Sequence, residues 1–283
     1  MPKFVKFFFQ KFLMKVILAI HIYILIAVCS LTVNAQSTAS KNVSHFTIQA
    51  PQLNMTKKIW IYLPSSYNSS KETYPVIYMA DGQNLFDNET SYVGEWGVDE
   101  FMDSLITKQS IVVGIEHGNA KRLDELTPYA NSEYGGGNGD NYLDFVINTL
   151  KPYIDQHYKT KSNAQFTTFW GSSLGGLMAF YAVVKYPEVF GNAGVFSPSF
   201  WYSEEIYDFA RAAQIPNSSR FYFLIGTEES DTGVTDQNKM ITLLKSQGVT
   251  EENIVNKIID GGQHNEAFWK SQFAEAYNWL IKN

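Results

Sequence analysis

Phe166-Thr167-Thr168-Phe169-Trp170 runs into Gly171-Ser172-Ser173-Leu174-Gly175, and Gly176-Leu177-Met178-Ala179-Phe180 follows. The first five residues are β-branched or aromatic and read as a strand. The last five continue to Tyr186, just before Pro187, and read as a helix of small and apolar residues. Between them lies G-x-S-x-G, the spacing that lets a serine project from a sharp strand-to-helix turn. A side chain two residues away on either side would crowd that turn. Only Ser173 has glycine at both positions; Ser172 faces Trp170 instead. The helix N-terminus directly behind Ser173 favours negative charge developing there. The bare motif is common in structural turns. The strand before it and the helix after it make Ser173 a candidate nucleophile.

The same alternation extends outward. Strand-like runs occur at His45–Ala50, Lys58–Leu63, Val76–Ala80, Ile111–Glu116, Ala193–Ser197, Phe221–Gly226 and Asn253–Ile259, bounded by Pro, Gly, Asn or Ser. Tyr142, Phe145, Val146, Leu150 and Tyr153 follow helical spacing, with Asp140 as N-cap; Val234–Ser246 and Glu266–Ile281 are further helices. Strands alternating with helices predict an α/β chain over residues 36–283. Its single, mostly parallel sheet of about eight strands is covered by helices on both faces. No helix separates the first two strands, so the sheet opens antiparallel. Gly118 to Gly139 is the longest irregular stretch, and its Tyr134-Gly135-Gly136-Gly137-Asn138-Gly139 is flexible by composition.

Residues 1–35 read differently. Lys3, Lys6, Lys11 and Lys15 precede a mostly apolar run from Val16 to Cys29, and Val33-Asn34-Ala35 ends on small residues before Gln36. A basic start, an apolar middle and a small-residue site are the layout of a secretory signal. About 14 apolar residues are few for a membrane-spanning helix, which needs roughly 20; an uncleaved anchor is the other reading. Cleavage removes four lysines and no acid, moving the net charge from −6 to −10 and removing the single Cys. The mature chain is then expected outside the cytoplasm, periplasmic or extracellular. Nucleic acid and anionic membrane surfaces need basic patches and are poor partners for it. With no cysteine left, a disulfide framework and a multi-Cys zinc site are excluded.

A serine hydroxyl needs a base to take its proton. His21 lies in the leader, and His45, His117 and His157 precede Ser173; only His264 follows it, in the loop Asp260-Gly261-Gly262-Gln263-His264-Asn265-Glu266. His264 is the candidate base. An acid should hold its imidazole and stabilise imidazolium. Glu228, Glu229 and Asp231, on the loop after Phe221–Gly226, are all candidates. An oxyanion needs two backbone donors. Leu174, the residue after the serine, supplies one. Asp81-Gly82-Gln83, after Val76–Ala80, supplies the other at Gln83, where Gly82 lets the chain turn in tightly. Asp81 either binds a substrate hydroxyl or initiates the turn. No H-E-x-x-H, G-x-x-x-x-G-K or C-x-x-C occurs, so no metal or cofactor is expected.

Four ordered motifs carry a family resemblance: Tyr78-Met79-Ala80-Asp81-Gly82-Gln83-Asn84-Leu85-Phe86-Asp87, Gly171 to Gly176, Phe196-Ser197-Pro198-Ser199-Phe200-Trp201, and Gly261 to Trp269. Over nearly all of residues 45–282 the chain resembles the esterase branch of the α/β-hydrolases. That group holds esterase D-like enzymes, siderophore (enterochelin) esterases and family 1 carbohydrate esterases, with the antigen 85 acyltransferases as distant relatives. The resemblance implies an α/β-hydrolase fold and a Ser-His-acid triad. It places the acid three residues after the glycine ending its strand, hence at Glu229. It matches the first oxyanion donor to Gln83, and through the antigen 85 branch it implies a sugar contact at Asp81. It leaves hydrolysis and acyl transfer both open.

Aromatics near these motifs, among them Trp96, Trp201, Phe268 and Trp269, suit sugar rings or aryl acyl groups, with core packing as the alternative. The expected function is an exported serine carboxylic ester hydrolase acting on a soluble ester, an acylated or feruloylated saccharide first. A siderophore trilactone esterase is the rival; a catalytically inactive carbohydrate-binding protein on the same fold is the rival of another class.

Overall fold

The computed structural model describes residues 37–281; the expected leader, residues 1–35, lies outside them. One eight-stranded sheet runs in the order β1-β2-β4-β3-β5-β6-β7-β8. β1 (Val43–Ala50) and β2 (Met55–Tyr62) form an antiparallel hairpin with Val43 opposite Tyr62. β2 pairs antiparallel with β4 (Ile111–Ile115). From there the sheet is parallel throughout, through β3 (Val76–Ala80), β5 (Thr167–Ser172), β6 (Asn192–Phe196), β7 (Arg220–Gly226) and β8 (Ile254–Ile259). The sheet thus opens antiparallel as expected, and every expected strand is present within three residues at either end.

Side chains alternate across the sheet and feed two separate cores. Val76, Tyr78 and Ala80 face one; Ile77 and Met79 face the other. The first core is closed by α3 (Gly139–Phe145), α4 (Lys151–His157), α5 (Leu174–Lys185), α6 (Glu205–Ala212) and α7 (Gly233–Ser246). The second is closed by α1 (Val98–Asp103) and α8 (Glu266–Leu280). Burial on both faces explains why β3 and β4 are continuous apolar runs rather than alternating ones. The fold is that of the α/β-hydrolases. Among the described residues no helix is long and apolar enough to cross a membrane.

Three local expectations change. Asp140 does not cap α3; Asn138 is the N-cap residue, and Asp140 instead accepts from Tyr181 Oη at 2.8 Å and pairs with Lys185. Cross-helix partners outcompete the cap there. The short helices α1, α2 (Arg122–Leu126) and α6 carry too few turns for a clear helical period and were not anticipated. The glycine run is tied down. Asn131 and Gly135 exchange two backbone hydrogen bonds, and Gly137 N–H donates to Thr127 Oγ1 at 2.8 Å. Gly135, Gly136 and Gly137 all have positive φ, between 78° and 98°. Here glycine serves the left-handed backbone of a fixed turn rather than mobility.

The polar segment before β1 is also held. Ser40 N–H donates to Asp99 Oδ2 at 2.7 Å, and Asn42 Nδ2 to Asp103. Asp99 is fully buried, and its Oδ1 has no partner among the described residues. Burial pushes its carboxyl up to about 7, against the Ser40 N–H and with the Glu100 charge adding. A carboxyl whose folded pKa exceeds its unfolded one favours folding fully below the unfolded value, about 4. That contribution is lost as pH rises through the folded value. Asp99→Asn is therefore expected to gain stability over the wild type as pH rises from about 5 to about 8, read by urea denaturation at each pH.

Candidate active site

The serine turn is built as its spacing requires. Ser173 sits between β5 and α5 at φ 59°, ψ −122°, and its N–H donates to Phe196 O at 3.0 Å. A Cβ on Gly171 would lie 2.6 Å from the Gly175 backbone, which leaves no room for a side chain there, and one on Gly175 would press on Ala80 Cβ at 3.0 Å. Ser172 is the last residue of β5 and is buried. Leu174 opens α5, so its N–H has no intrahelical acceptor and faces the turn. Gln83 is the middle residue of a 3₁₀ turn, Gly82–Asn84, directly after β3. The positive φ of that turn, 56°, falls on Asp81. Gly82 is needed for another reason: a Cβ there would meet Gly114 of β4 at 2.6 Å.

His264 and Glu229 meet across two loops. Thr227 N–H donates to Ile259 O and Glu228 N–H to Gly262 O, both at 3.0 Å, which binds the acid loop to the histidine loop. His264 Nδ1 lies 2.9 Å from Glu229 Oε2. A carboxylate only accepts, so Nδ1 carries the proton and Nε2 is left free. Glu229 Oε1 accepts from Gly226 N–H and from Ser197 Oγ, both at 2.7 Å. The Glu229 side chain is 3% exposed and that of His264 41%. Of the three acids on this loop, Glu228 turns to Gln263 and Asp231 is exposed; only Glu229 reaches the imidazole. Ser173 Oγ faces Ser199 Oγ at 3.4 Å. Ser173 and His264 line the same two cavities, with no hydrogen bond between them among the described residues.

The two cavities differ. One, of about 380 Å³, is polar: Asp81, Asn84, His117, Arg122 and Glu266 surround Ser173 and His264. The other, of about 350 Å³, adds Pro198, Trp201 and Ile225 and is the more apolar. Asp81 is held by Arg122 through a two-pronged pair, Nε to Oδ1 at 2.8 Å and Nη2 to Oδ2 at 2.9 Å. Burial pulls the Arg122 guanidinium down, but Asp81, with Glu266 behind it, outweighs burial and holds it above its ordinary range. Burial likewise raises the Glu266 carboxyl. The loop carrying Arg122 is anchored from below. Glu125 Oε2 accepts from Lys57 Nζ at 2.8 Å and from Gly118 N–H at 2.9 Å, and both side chains of that ion pair are buried.

Trp96 and Trp201 part company. Trp96 is 3% exposed, stacked on Phe196 at 5.7 Å and packed against Trp269; it is the cavity floor rather than an open face. Trp201 is 53% exposed, perpendicular to the exposed Tyr134 at 6.0 Å, on the rim of the apolar cavity. Arg122, Glu266 and Ser197 line the two cavities and were not singled out as site residues in the sequence. Arg122 had one signal: it is one of three arginines after residue 35, in the longest irregular stretch. Arg122→Ala leaves Asp81 charged and nearly buried, and is expected to cost about 2 kcal/mol in urea denaturation. Arg122→Lys is expected not to restore it, because an ammonium lacks the planar two-donor fork.

Comparison with known proteins agrees with this architecture. The family model described as Putative esterase matches residues 50–280. An uncharacterized protein of Bacillus subtilis, YbbA, is 30% identical over 241 residues, covering 79% of this chain and 92% of its own. An endo-1,4-beta-xylanase/feruloyl esterase of Xylanibacter ruminicola is 25% identical over 249 residues, 85% of this chain and 31% of that one. Among solved structures, the enterobactin esterase FES from Shigella flexneri superposes with a TM-score of 0.70 at 17% identity, over 86% of this chain and 59% of that one. The chain belongs to the Putative esterase family and is a carboxylic ester hydrolase.

Proposed function

We propose that the hydrolysis runs through Ser173, His264 and Glu229. The observation that carries this reading is a strained serine turn and a carboxylate-bound imidazole lining the same two cavities. Ser173 Oγ attacks the ester carbonyl while His264 Nε2 takes its proton. The carbonyl π electrons move onto oxygen, where Gln83 and Leu174 N–H hold the oxyanion. The oxyanion collapses, the alcohol leaves with the proton from His264, and an acyl-serine remains. Water, deprotonated by His264, then releases the acid and restores Ser173. Glu229 keeps the proton on Nδ1 throughout, so that Nε2 can act as the base.

The substrate we assign is an acylated saccharide, met outside the cytoplasm after removal of residues 1–35. The polar cavity offers Asp81, Asn84, His117, Arg122 and Glu266 to hydroxyl groups. Its one Lys or Arg among the described residues is already matched by Asp81, so a neutral, hydroxylated alcohol suits it better than an anionic iron-bound catecholate lactone. The apolar cavity beside Trp201 suits the acyl group, with Trp201 free to stack on an aryl or sugar ring. The feruloyl esterase relative supports this choice; the enterobactin esterase neighbour keeps the lactone as the comparison substrate.

The test uses residues 36–283 on p-nitrophenyl acetate, an acylated oligosaccharide and a catecholate trilactone. Ser173→Ala is expected to lower kcat on the order of 10⁶-fold and Glu229→Ala on the order of 10⁴-fold. A fluorophosphonate should add its mass at Ser173 in the wild type and not in the variant. Equal turnover by wild type and Ser173→Ala would remove Ser173 from the mechanism. Preference for the trilactone over the oligosaccharide ester would remove the saccharide assignment and leave the triad.

A further inference from the structure

Ser197, at the carboxyl end of β6, has φ 45°, a left-handed backbone that a non-glycine residue keeps only when its surroundings hold it. Its N–H donates to Leu224 O at 2.6 Å. Its hydroxyl is fixed from both sides. Trp269 Nε1–H donates to Ser197 Oγ at 2.8 Å, and Ser197 Oγ donates to Glu229 Oε1 at 2.7 Å. An indole N–H can only donate, so Ser197 receives there and must spend its single proton on Glu229. Trp269 also stands edge-on to the His264 ring, with centroids 5.1 Å apart at 84°. One tryptophan therefore braces the imidazole directly and the carboxylate through Ser197.

We propose that Ser197 is a positioning residue for the ester hydrolysis, acting through Glu229. Gly226 N–H and Ser197 Oγ occupy Oε1 and leave Oε2 turned to His264 Nδ1. Gly226 alone is one backbone donor at one end of the carboxylate, about which the plane can still rotate. The Ser197 hydroxyl is the second donor that fixes the plane, and the Trp269 donor upstream strengthens it, as linked hydrogen bonds polarise one another. Without Ser197, Glu229 holds the imidazolium that forms during the reaction less well. This inference rests on the triad proposed above.

Ser197→Gly is the sharp variant, because glycine accepts φ 45° without strain while the hydroxymethyl group that carries the donor is removed. With p-nitrophenyl acetate, kcat is expected to fall tenfold to a hundredfold, about the worth of one hydrogen bond to a charged group, with KM little changed. The acid limb of the kcat/KM profile should move to lower pH, because imidazolium has lost support. Trp269→Phe keeps a ring against His264 and removes the donor, so it should shift the same limb by less. In the double variant the two losses should not add. Wild-type kcat and an unmoved acid limb in Ser197→Gly overturn the inference, as does a kcat loss in both variants with the limb unmoved. A Ser173→Ala protein as active as the wild type instead overturns the triad on which the inference stands.

Discussion

The tight contact between Gly171 and Gly175 is the constraint on which the site depends. It allows β5 to turn into α5 over a single residue, Ser173, whose φ of 59° no ordinary strand or helix position would tolerate. β5 lies inside the sheet, parallel to β3 on one side and β6 on the other. The strands from β3 to β8 run parallel, so the loops leaving their carboxyl ends open toward the same rim, as in other open α/β sheets. Asp81 comes from the loop after β3, Arg122 from that after β4, Ser197 from that after β6, Glu229 from that after β7 and His264 from that after β8. Each strand contributes one polar group to a site that no single segment could build.

Local signals were readable because local sterics produce them. Strands appear as runs rich in β-branched and aromatic residues between turn residues, and all eight are legible that way, including the half-exposed edge strands β1 and β8. The glycine spacing around Ser173 records a backbone contact, and the position of His264 after the last strand records chain order. The acid could be narrowed to three residues of one loop by reading, and to Glu229 by resemblance; hydrogen bonding then brought Glu229 to the imidazole. What could not be read is pairing across the chain. Asp81 and Arg122 are 41 residues apart, and Ser197 and Trp269 are 72 apart. No local pattern announces such partners. Asp140 failed as a cap for the same reason: Tyr181 and Lys185 claimed it from another helix. Trp96 lines the cavity but is largely covered by Phe196 and Trp269, and aromatic composition does not say which face of a ring is covered.

Two ion pairs order the polar cavity and the loop beneath it. Asp81 answers Arg122, and Lys57 answers Glu125 beneath the same loop. Desolvating both members of the deeper pair is costly, and its return is geometric: it fixes where Gly118 and the following helix begin, and hence where Arg122 points. Asp81 and Arg122 cancel within the cavity, and the remaining carboxyl there, Glu266, accepts from the neutral Asn84 Nδ2 at 3.3 Å, so the cavity is rich in hydrogen-bonding groups.

The sequence positions of these groups bear on how the molecule comes together. Glu229 and His264 are 35 residues apart and meet only after β8 has added to the edge of the sheet beside β7. The centre of the sheet, from β4 through β6, contains neither of them. Contacts between distant segments are the late and slow ones in folding. Under the proposed triad, regain of catalysis during refolding therefore reports the arrival of the last strand and of α8, not collapse of the middle. A folding intermediate with native-like central strands would have Ser173 in place without the imidazole of His264 beside it.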